Sequence, residues 1–435
     1  MTNEPPLNRR VLLVTRELPP AIGPHPIRVA KLAKYLPEFG WTPTILSVPS
    51  DYSWSRDHEL ASELDGVEIV RVPRLFGRVA SPTAGVSRTA ESVAPIMSSR
   101  QRALRSFRSR LSRALLMPDP AVTWAIPAAR RCAELAQGFD VVFTTAPPFS
   151  THLIGERAAR AVGVPWVAEY RDNWTVNPLY RRGPVAQRIN ARTERRFLRR
   201  ATGVVVVSDA AAEEMVAAFP WLAGSVTVAR NGYDPDDLPS PSGRPEVFEI
   251  AYAGSLDERR DPRPFLRALA RVASARQGFL DQLHLRFMGN IAPWVLTDAE
   301  AAVGSTRVSG DGLVPHREAL ARAVNAAVLL GITTRQEAGG AGLTSKLFEY
   351  LGLRRPVLML APAGPARDLV ARSGGGLGAD PEDEEGIAAA LTTLYDEWTQ
   401  GRERIADTSV LEGLTRRETA RAVANALSKA AETRG

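Results

Sequence analysis

The sequence predicts an α/β protein made of two doubly wound domains that face each other across a cleft. At 435 residues, the chain is longer than one hydrophobic core usually organises, so two domains are expected. Short apolar strands alternate with amphipathic helices in both halves, and parallel strands need helical crossovers of this kind. An aperiodic stretch rich in Pro, Asp and Ser, residues 234–245, separates the two sets of elements.

The first set begins with the β-branched apolar run 9–15, which is typical of a buried parallel strand. A proline-rich loop, a helix over 27–39 and a strand over 43–48 complete the first β-α-β unit. Further strands are expected over 140–145, 165–170 and 203–208, and further helices over 153–162 and 188–200.

The second set begins with a strand at 248–254. The later strands of this set are expected over 283–288, 326–331 and 356–361. The predicted division is a first domain over 1–238, a linker over 239–246, a second domain over 247–413 and a final helical segment over 414–435. No strand follows that last segment, so we expect it to pack back on the first domain.

Composition favours a cytoplasmic protein, either soluble or peripheral to a membrane. The hydrophobic share of 44% and the charged share of 24% are ordinary globular values, and no apolar run approaches the roughly 18 residues of a membrane span. Residues 1–10 lack the apolar run of a secretion signal. The single Cys132 fits a reducing compartment.

The net charge of +7 is concentrated in one segment. Six arginines alternate there with Leu and Phe at helical spacing, which predicts a basic amphipathic helix for the anionic inner face of a membrane. A solvated arginine face is an equally good interpretation. These arginines are Arg100, Arg102, Arg105, Arg108, Arg110 and Arg113.

The stretch 339–351 combines small residues with the start of a predicted helix. Accessible N–H groups and a positive helix end, near Thr344 or Ser345, predict an anion site. Lys346 adds a cation for a diphosphate, and Glu349, one turn later, can accept two ribose hydroxyls. An ordinary capped loop with a surface Lys346–Glu349 ion pair is the alternative. The donor-facing backbone comprises Gly340, Ala341, Gly342, Leu343, Thr344 and Ser345.

Asp172 follows the predicted strand 165–170, at the edge where ligands of such sheets bind. With Arg171 and Trp174, it offers a carboxylate beside a cation and an aromatic platform for a sugar face; an Asp–Arg pair holding a loop is the alternative. His152 is a candidate acid or base, although a lone histidine is more often structural.

The loop before the first helix is a second candidate for contact with acceptor or diphosphate. Gly23 would let the backbone approach a ligand closely. Arg28 is expected either to face the cleft or to be exposed to solvent.

Several of these segments resemble the retaining glycosyltransferases of family 4. The resemblance is carried by 140–148 with Ser150–His152, by 165–174 and by 345–350. Weaker matches in the same order are Pro19-Pro20 with Gly23, Arg230-Asn231-Gly232, Ala253-Gly254-Ser255 and Arg260-Asp261-Pro262. The resemblance implies the GT-B fold of two facing Rossmann-like domains, a nucleoside-diphosphate sugar as donor, and transfer with retained anomeric configuration.

The resemblance also implies roles for individual residues. Lys346 and Arg260 would neutralise the departing pyrophosphate, with Gly254 and Ser255 beside the donor. Glu349 matches the second of two family glutamates separated by seven residues, but Ala341 stands in place of the first. Backbone N–H groups of Gly340 to Leu343 would then meet the sugar hydroxyls. Thr144-Thr145 replaces a histidine-containing loop that is common in relatives.

The expected function is transfer of a hexose or N-acetylhexosamine from a UDP sugar to a glycan or glycolipid acceptor, in polysaccharide or glycoconjugate biosynthesis of the cell envelope. No cofactor or metal is expected: the acidic run 234–237 lies in the aperiodic stretch between the two sets of elements, and the His and Cys residues are scattered. The alternatives are a nucleotide-sugar 2-epimerase, which the five histidines disfavour, and a catalytically decayed binding protein. The pattern does not suggest a nucleic-acid binder.

Overall fold

The computed structural model describes residues 8–49, 57–75, 116–241, 243–333 and 344–433. Within these ranges the chain forms two separate, fully parallel sheets with helical crossovers between their strands. This is the predicted arrangement of two Rossmann-like domains. The basic segment 100–113 lies outside the described residues.

The first sheet has the strand order β3-β2-β1-β4-β5-β6-β7. Its strands are β1 (Arg9–Val14), β2 (Trp41–Ser47), β3 (Ile69–Arg71), β4 (Val141–Ala146), β5 (Trp166–Tyr170), β6 (Gly203–Val206) and β7 (Val226–Val228). The helices of this half are α1 (Pro24–Tyr35), α2 (His58–Ser62), α3 (Val122–Leu135), α4 (Ser150–Val162), α5 (Pro184–Arg200) and α6 (Asp209–Ala218).

The second sheet has the strand order β10-β9-β8-β11-β12-β13. Its strands are β8 (Phe248–Leu256), β9 (Leu283–Ile291), β10 (Val308–Gly312), β11 (Val328–Ile332), β12 (Val357–Leu360) and β13 (Gly376–Ala379). The later helices are α7 (Arg263–Ala275), α8 (Phe279–Gln282), α9 (Pro293–Val303), α10 (His316–Ala323), α11 (Ser345–Gly352), α12 (Pro365–Ser373), α13 (Glu384–Thr399) and α14 (Arg416–Glu432).

Both faces of the first sheet are covered by helices. Alternate residues of β1 therefore pack in two different hydrophobic cores. Leu12 packs in a core with α3 and α4, whereas Val11 packs in a core with α1 and α14. The buried residues of α14 include Val423 and Leu427. The C-terminal helix therefore packs on the first sheet although it follows the second sheet in sequence. Among the helices described, none is long and apolar enough to cross a membrane.

Several details of the elements differ from the expectation. Helix α1 begins at Pro24 rather than at residue 27, because proline is tolerated in the first turn of a helix. Helix α4 begins at Ser150 rather than at residue 153, which places His152 in its first turn. Helix α5 begins at Pro184 rather than at residue 188. The strands β3, β7, β10 and β13 were not predicted: the first two have three residues each, and the other two are rich in glycine.

The two halves meet at a buried group of charges. Lys31 of α1 places its Nζ 2.5 Å from Glu63 Oε1, 2.7 Å from Asp234 Oδ2 and 2.8 Å from Asp237 Oδ1. Both aspartates belong to the acidic run that follows the first sheet. Although Glu63, Asp234 and Asp237 lie close enough together to hold a metal ion, the Lys31 ammonium occupies their centre.

The second domain reaches the same charges through the start of α10. Arg317 contacts Asp237 Oδ1 at 3.1 Å, Glu63 Oε1 at 3.2 Å and Glu59 Oε1 at 2.9 Å. One residue earlier, the backbone N–H of His316 donates to Asp57 Oδ2 at 2.8 Å. We call Lys31, Glu63, Asp234, Asp237 and Arg317 the interdomain charge cluster.

Burial makes this cluster depend on complete pairing. The side chains of Lys31 and Asp234 are 1% and 0% exposed. Burial by itself raises the pKa of Asp234, but hydrogen bonds from Lys31 and Tyr35 outweigh that effect and lower the pKa to about 2. Removing one partner of such a pair leaves an uncompensated charge in a medium that solvates it poorly.

We therefore expect Lys31→Met to lower the free energy of unfolding by roughly 3–5 kcal/mol, because it strands buried carboxylates. Lys34→Met is the matched control in the same helix. Lys34 also contacts Asp234, but its side chain is 27% exposed, so its loss should cost about 1 kcal/mol or less. Urea denaturation of both variants measures the difference, and equal losses would contradict the assigned role of burial.

Candidate active site

The carboxyl end of β8 contacts Lys346, which lies on the helix that follows the neighbouring strand β11. A Cβ atom on Gly254 would lie 2.2 Å from Lys346 Nζ and 2.9 Å from Tyr252 Oη. Only glycine leaves this space free for the ammonium group. The φ of +157° at Gly254 also favours glycine. Lys346 Nζ lies 5.8 Å from the centroid of the Tyr252 ring. The ammonium is thus packed against the end of the strand.

Arg260 lies in the loop that follows the same strand. Its backbone N–H donates to Asp257 O at 2.9 Å, and its Nη1 donates to Ser255 O at 3.2 Å. The Tyr252 hydroxyl also donates to Ser255 O, at 2.9 Å. One small cavity is lined by the side chains of Arg260, Lys346 and Tyr252. The structure therefore brings together two cations that are far apart in the sequence.

The helix that carries Lys346 begins as predicted. Thr344 is the N-cap of α11 and Ser345 its first residue, and Thr344 lines the same cavity. The positive end of the helix dipole is therefore at the cavity. The preceding residues Gly340, Ala341, Gly342 and Leu343 lie outside the described residues.

Glu349 is three residues after Lys346 and is 8% exposed. Its Oε1 lies 3.5 Å from His316 Nε2, which in turn lies 3.8 Å from Asp237 Oδ2. Burial and the like charge of Arg28 lower the pKa of Arg416 to about 10, whereas the Glu349 carboxylate acts in the opposite direction. Glu349 thus lies where the second domain meets the interdomain charge cluster and α14, and it does not form the surface ion pair with Lys346.

Arg28 does not face the cleft as an available cation, and it is not exposed. Its guanidinium is 2% exposed and donates to Glu169 Oε1 at 2.6 and 3.0 Å, to Ala229 O at 3.0 Å and to Asn231 Oδ1 at 3.0 Å. Both expectations for Arg28 were wrong, because a buried carboxylate on β5 attracts it inward. Its structural effect is to join α1 to β5 and to the segment after β7.

Gly23 precedes α1 with a φ of +146°, and a Cβ there would meet only Pro26, at 3.8 Å. Backbone conformation rather than space therefore requires glycine. The neighbouring His25 is 6% exposed, and its Nε2 lies 2.8 Å from Thr15 Oγ1. Burial, and then the charge of Arg171 among nearby arginines, holds the pKa of His25 well below its ordinary value.

Arg171 and Asp172 follow β5 but do not pair with each other through any hydrogen bond in the described structure. Asp172 is exposed and accepts a hydrogen bond from the Tyr180 hydroxyl at 2.9 Å. Arg171 donates from Nη2 to Pro147 O, while its buried Nε has no hydrogen-bond partner in the structure as described. Asp172 is therefore the more accessible of these two charged residues.

Two expectations for this region were wrong. Trp174 is 2% exposed and stacks on Phe149 with ring centroids 4.7 Å apart, so its face is covered by the core and is not a platform for a sugar. His152 is fully buried. Its Nδ1 lies 2.8 Å from Thr144 Oγ1, and burial lowers its pKa to about 3. A neutral, enclosed imidazole cannot act as acid or base in the cleft.

Sequence reasoning missed His316, Arg416, Asn231 and Glu169 as neighbours of the candidate site. Arg416 Nη1 lies 3.4 Å from Asn231 Oδ1, the atom that also accepts from Arg28. These residues come from four distant segments. Asn231 and Glu169 had a signal, since each lies in a segment that carries the family resemblance, whereas His316 and Arg416 stand in no recognisable motif.

The structure resembles solved proteins over nearly its whole length. Anabaena Alr3699/HepE in complex with UDP and glucose is 14% identical, with a TM-score of 0.60 and 98% of both chains covered. Sucrose-phosphate synthase from Thermosynechococcus elongatus is 15% identical, with a TM-score of 0.60, covering 98% of this chain and 97% of the other. A UDP-N-acetylglucosamine 2-epimerase is 15% identical, with a TM-score of 0.54, covering 95% and 94%.

These likenesses define the class of the fold as GT-B, two Rossmann-like domains facing across a cleft. Residues 26–232 match the family described as glycosyl transferase 4-like domain. No curated protein matches the sequence. The first domain is thus similar to a glycosyl transferase 4-like domain, and the chain is a glycosyltransferase with the GT-B fold.

The buried histidine makes stability depend on pH. Because the pKa of His152 in the folded protein, about 3, lies below the ordinary 6.5, its contribution to stability is complete above pH 6.5 and declines as the pH falls toward 3. We expect His152→Asn to make the decline between pH 6.5 and 5 shallower by up to about 1.4 kcal/mol per pH unit. Denaturant titrations of both proteins across this pH range test the prediction. A titration at pH 8 measures the loss in unfolding free energy that the substitution causes independently of pH. Equal slopes would refute the buried neutral imidazole.

Proposed function

We propose that the protein transfers a hexose or N-acetylhexosamine from a UDP sugar to a glycan or glycolipid acceptor, with retention of configuration at the anomeric carbon. The setting we propose is assembly of cell-surface polysaccharide or glycoconjugate, at the cytoplasmic face of the membrane. The observation that carries the proposal is the packing of Lys346 Nζ against Gly254, beside Arg260.

The chemistry needs positive charge at this place. In glycosyl transfer, the bond between the anomeric carbon and the diphosphate oxygen breaks, and a bond to an acceptor hydroxyl oxygen forms while that hydroxyl loses its proton. Negative charge develops on the departing diphosphate. Cations already held in place stabilise that charge without reorganisation. In our proposal, Lys346 and Arg260 do so, and no metal or cofactor takes part.

The remaining donor contacts follow from α11 and β8. We propose that the backbone around Thr344 and Ser345 binds phosphate oxygens at the helix end, that Gly254 and Ser255 lie beside the donor, and that Glu349 accepts the ribose hydroxyls. The described contact of Glu349 with His316, at 3.5 Å, holds the carboxylate without occupying both of its oxygens. Ala341 cannot accept a sugar hydroxyl through its side chain, so backbone N–H groups of Gly340 to Leu343 are proposed to do so.

The choice of uridine is supported by the relative of similar fold that was crystallised with UDP and glucose. The acceptor is proposed to bind at the carboxyl edge of the first sheet. Asp172 provides an exposed carboxylate at this edge. Gly23 and Arg171, in the loops at the same edge, are further candidates for contact with the acceptor or the diphosphate. Asp172 is our candidate for contact with the acceptor hydroxyl.

A panel of UDP, GDP, ADP and TDP sugars tests the donor. Thermal shift reports binding, and mass spectrometry of the products reports donor hydrolysis or transfer. We expect a UDP hexose or UDP-N-acetylhexosamine to raise the melting temperature and to release UDP. A 2-epimer formed without release of UDP would identify an epimerase, and binding without any product would identify a decayed site.

Lys346→Ala and Arg260→Ala should each slow turnover by ~10²–10³, because each removes a charge that stabilises the leaving group. Arg267→Ala is the control: this exposed residue of the same domain pairs with Glu384, and its loss should leave turnover unchanged. Steady-state kinetics with the donor found in the panel, together with melting curves to verify folding, measure the effect. Parental rates in both variants would remove the assigned roles.

A further inference from the structure

The outer face of α5 is unusually basic. The stretch 178–200 contains eight arginines and one acidic residue. That residue, Glu194, is fully buried, and burial raises its pKa to about 7 even though Thr175 donates hydrogen bonds to it. The exposed surface of the helix therefore carries positive charge without acidic neighbours from its own element. Six of the arginines lie on α5: Arg188, Arg192, Arg195, Arg196, Arg199 and Arg200.

Most of this charge is not neutralised by other elements. Arg188 and Arg192 are exposed and form no ion pair with any residue in the described part of the chain. Arg196 and Arg200 share one carboxylate, Glu156 Oε1, at 3.7 and 3.3 Å. The side chains of both remain about half exposed, at 51% and 44%.

Apolar side chains lie beside these arginines and face solvent. Val185 is 72% exposed and Ile189, one helical turn later, is 44% exposed. Leu179, in the turn Pro178–Tyr180 before the helix, is 56% exposed. Trp221 is 41% exposed, with the Arg195 guanidinium 5.2 Å from its ring centroid. Apolar residues exposed next to unneutralised cations are characteristic of interfacial helices.

The apolar end of α5 lies at the edge of the first sheet that faces the candidate acceptor site. The loop from β5 to α5 begins with Arg171 and Asp172, and the Tyr180 hydroxyl donates to Asp172 Oδ2 at 2.9 Å. Leu179, next to Tyr180 in the chain, therefore lies close to the exposed carboxylate of the site. A surface that binds this end would be beside the cleft.

We propose that α5 and the turn before it, residues 178–200, dock the protein on an anionic phospholipid bilayer. The arginines bind lipid headgroups, while Leu179, Val185 and Ile189 enter the boundary between headgroups and acyl chains. The apolar residues favour a bilayer over a nucleic acid, which offers them no apolar phase. The bilayer would be a further partner of the protein. If the protein is the proposed glycosyltransferase, docking through the apolar end of α5 would bring the acceptor site to a lipid-linked acceptor.

Sedimentation with vesicles tests the surface. The full chain should bind vesicles of 70% phosphatidylcholine and 30% phosphatidylglycerol, and should bind much less to phosphatidylcholine alone. Binding should weaken as salt rises from 0.1 to 1 M, since the screening length falls from about 10 Å to about 3 Å. Equal binding to the two vesicle types, or no binding to either, would overturn the proposal.

Paired variants locate the binding. Arg188→Ser with Arg192→Ser should weaken vesicle binding by roughly tenfold or more, because each arginine near an anionic surface contributes about fivefold. Arg267→Ser with Arg271→Ser removes the same charge from the exposed face of α7 and should bind as the parent does. Equal losses in the two pairs would show that only net charge matters, and parental binding by the α5 pair would exclude this surface.

A third variant separates headgroup attraction from insertion. Val185→Ser with Ile189→Ser keeps every arginine, and we expect it to lose the part of the binding that survives 1 M salt. Single-stranded RNA serves as a competing polyanion: capture of RNA with no vesicle binding would replace the bilayer by a nucleic acid. Melting curves with the UDP sugar monitor the donor site separately, so loss of docking and failure of the proposed glycosyl transfer are distinguishable.

Discussion

The joining of the two domains depends on one buried ammonium group. Lys31 Nζ lies within hydrogen-bonding distance of Glu63, Asp234 and Asp237. These residues come from the first helix, from the segment after α2 and from the start of the interdomain connection. A charge buried this deeply is tolerated only when its partners surround it. The cluster therefore fixes where the chain leaves the first domain, and Arg317 brings the second domain to the same carboxylates.

This junction continues into the candidate site through polar contacts. Asn231 Oδ1 lies close to the guanidinium groups of both Arg28 and Arg416, and the charge of Glu349 acts on Arg416. The carboxylate proposed to hold the ribose is thus part of the same network that sets the positions of the domains. A change in domain arrangement would alter the surroundings of Glu349 directly. Lys346 is different, because it packs against Gly254 and Tyr252 of its own domain.

The predictions made from the sequence succeeded where the signal was local. Alternating strands and helices indicated two parallel sheets, and the start of α11 was predicted at the correct residue. They failed where the outcome depended on distant partners. Arg28 was expected to face either the cleft or solvent, but Glu169, 141 residues away, pairs with it in the core. Trp174 follows a strand at the ligand-binding edge, yet Phe149 covers its face.

The sequence by itself determined the α/β class, the two halves and the segments that could carry charge to a diphosphate, because periodicity, glycines and helix caps act within a few residues. Only the tertiary structure decided which of those charges are available. It enclosed His152, neutralised Arg28 and left Asp172 exposed. The physical reason is that the state of a charge depends on burial and on partners within a few ångströms, and those partners come from segments far apart in the chain.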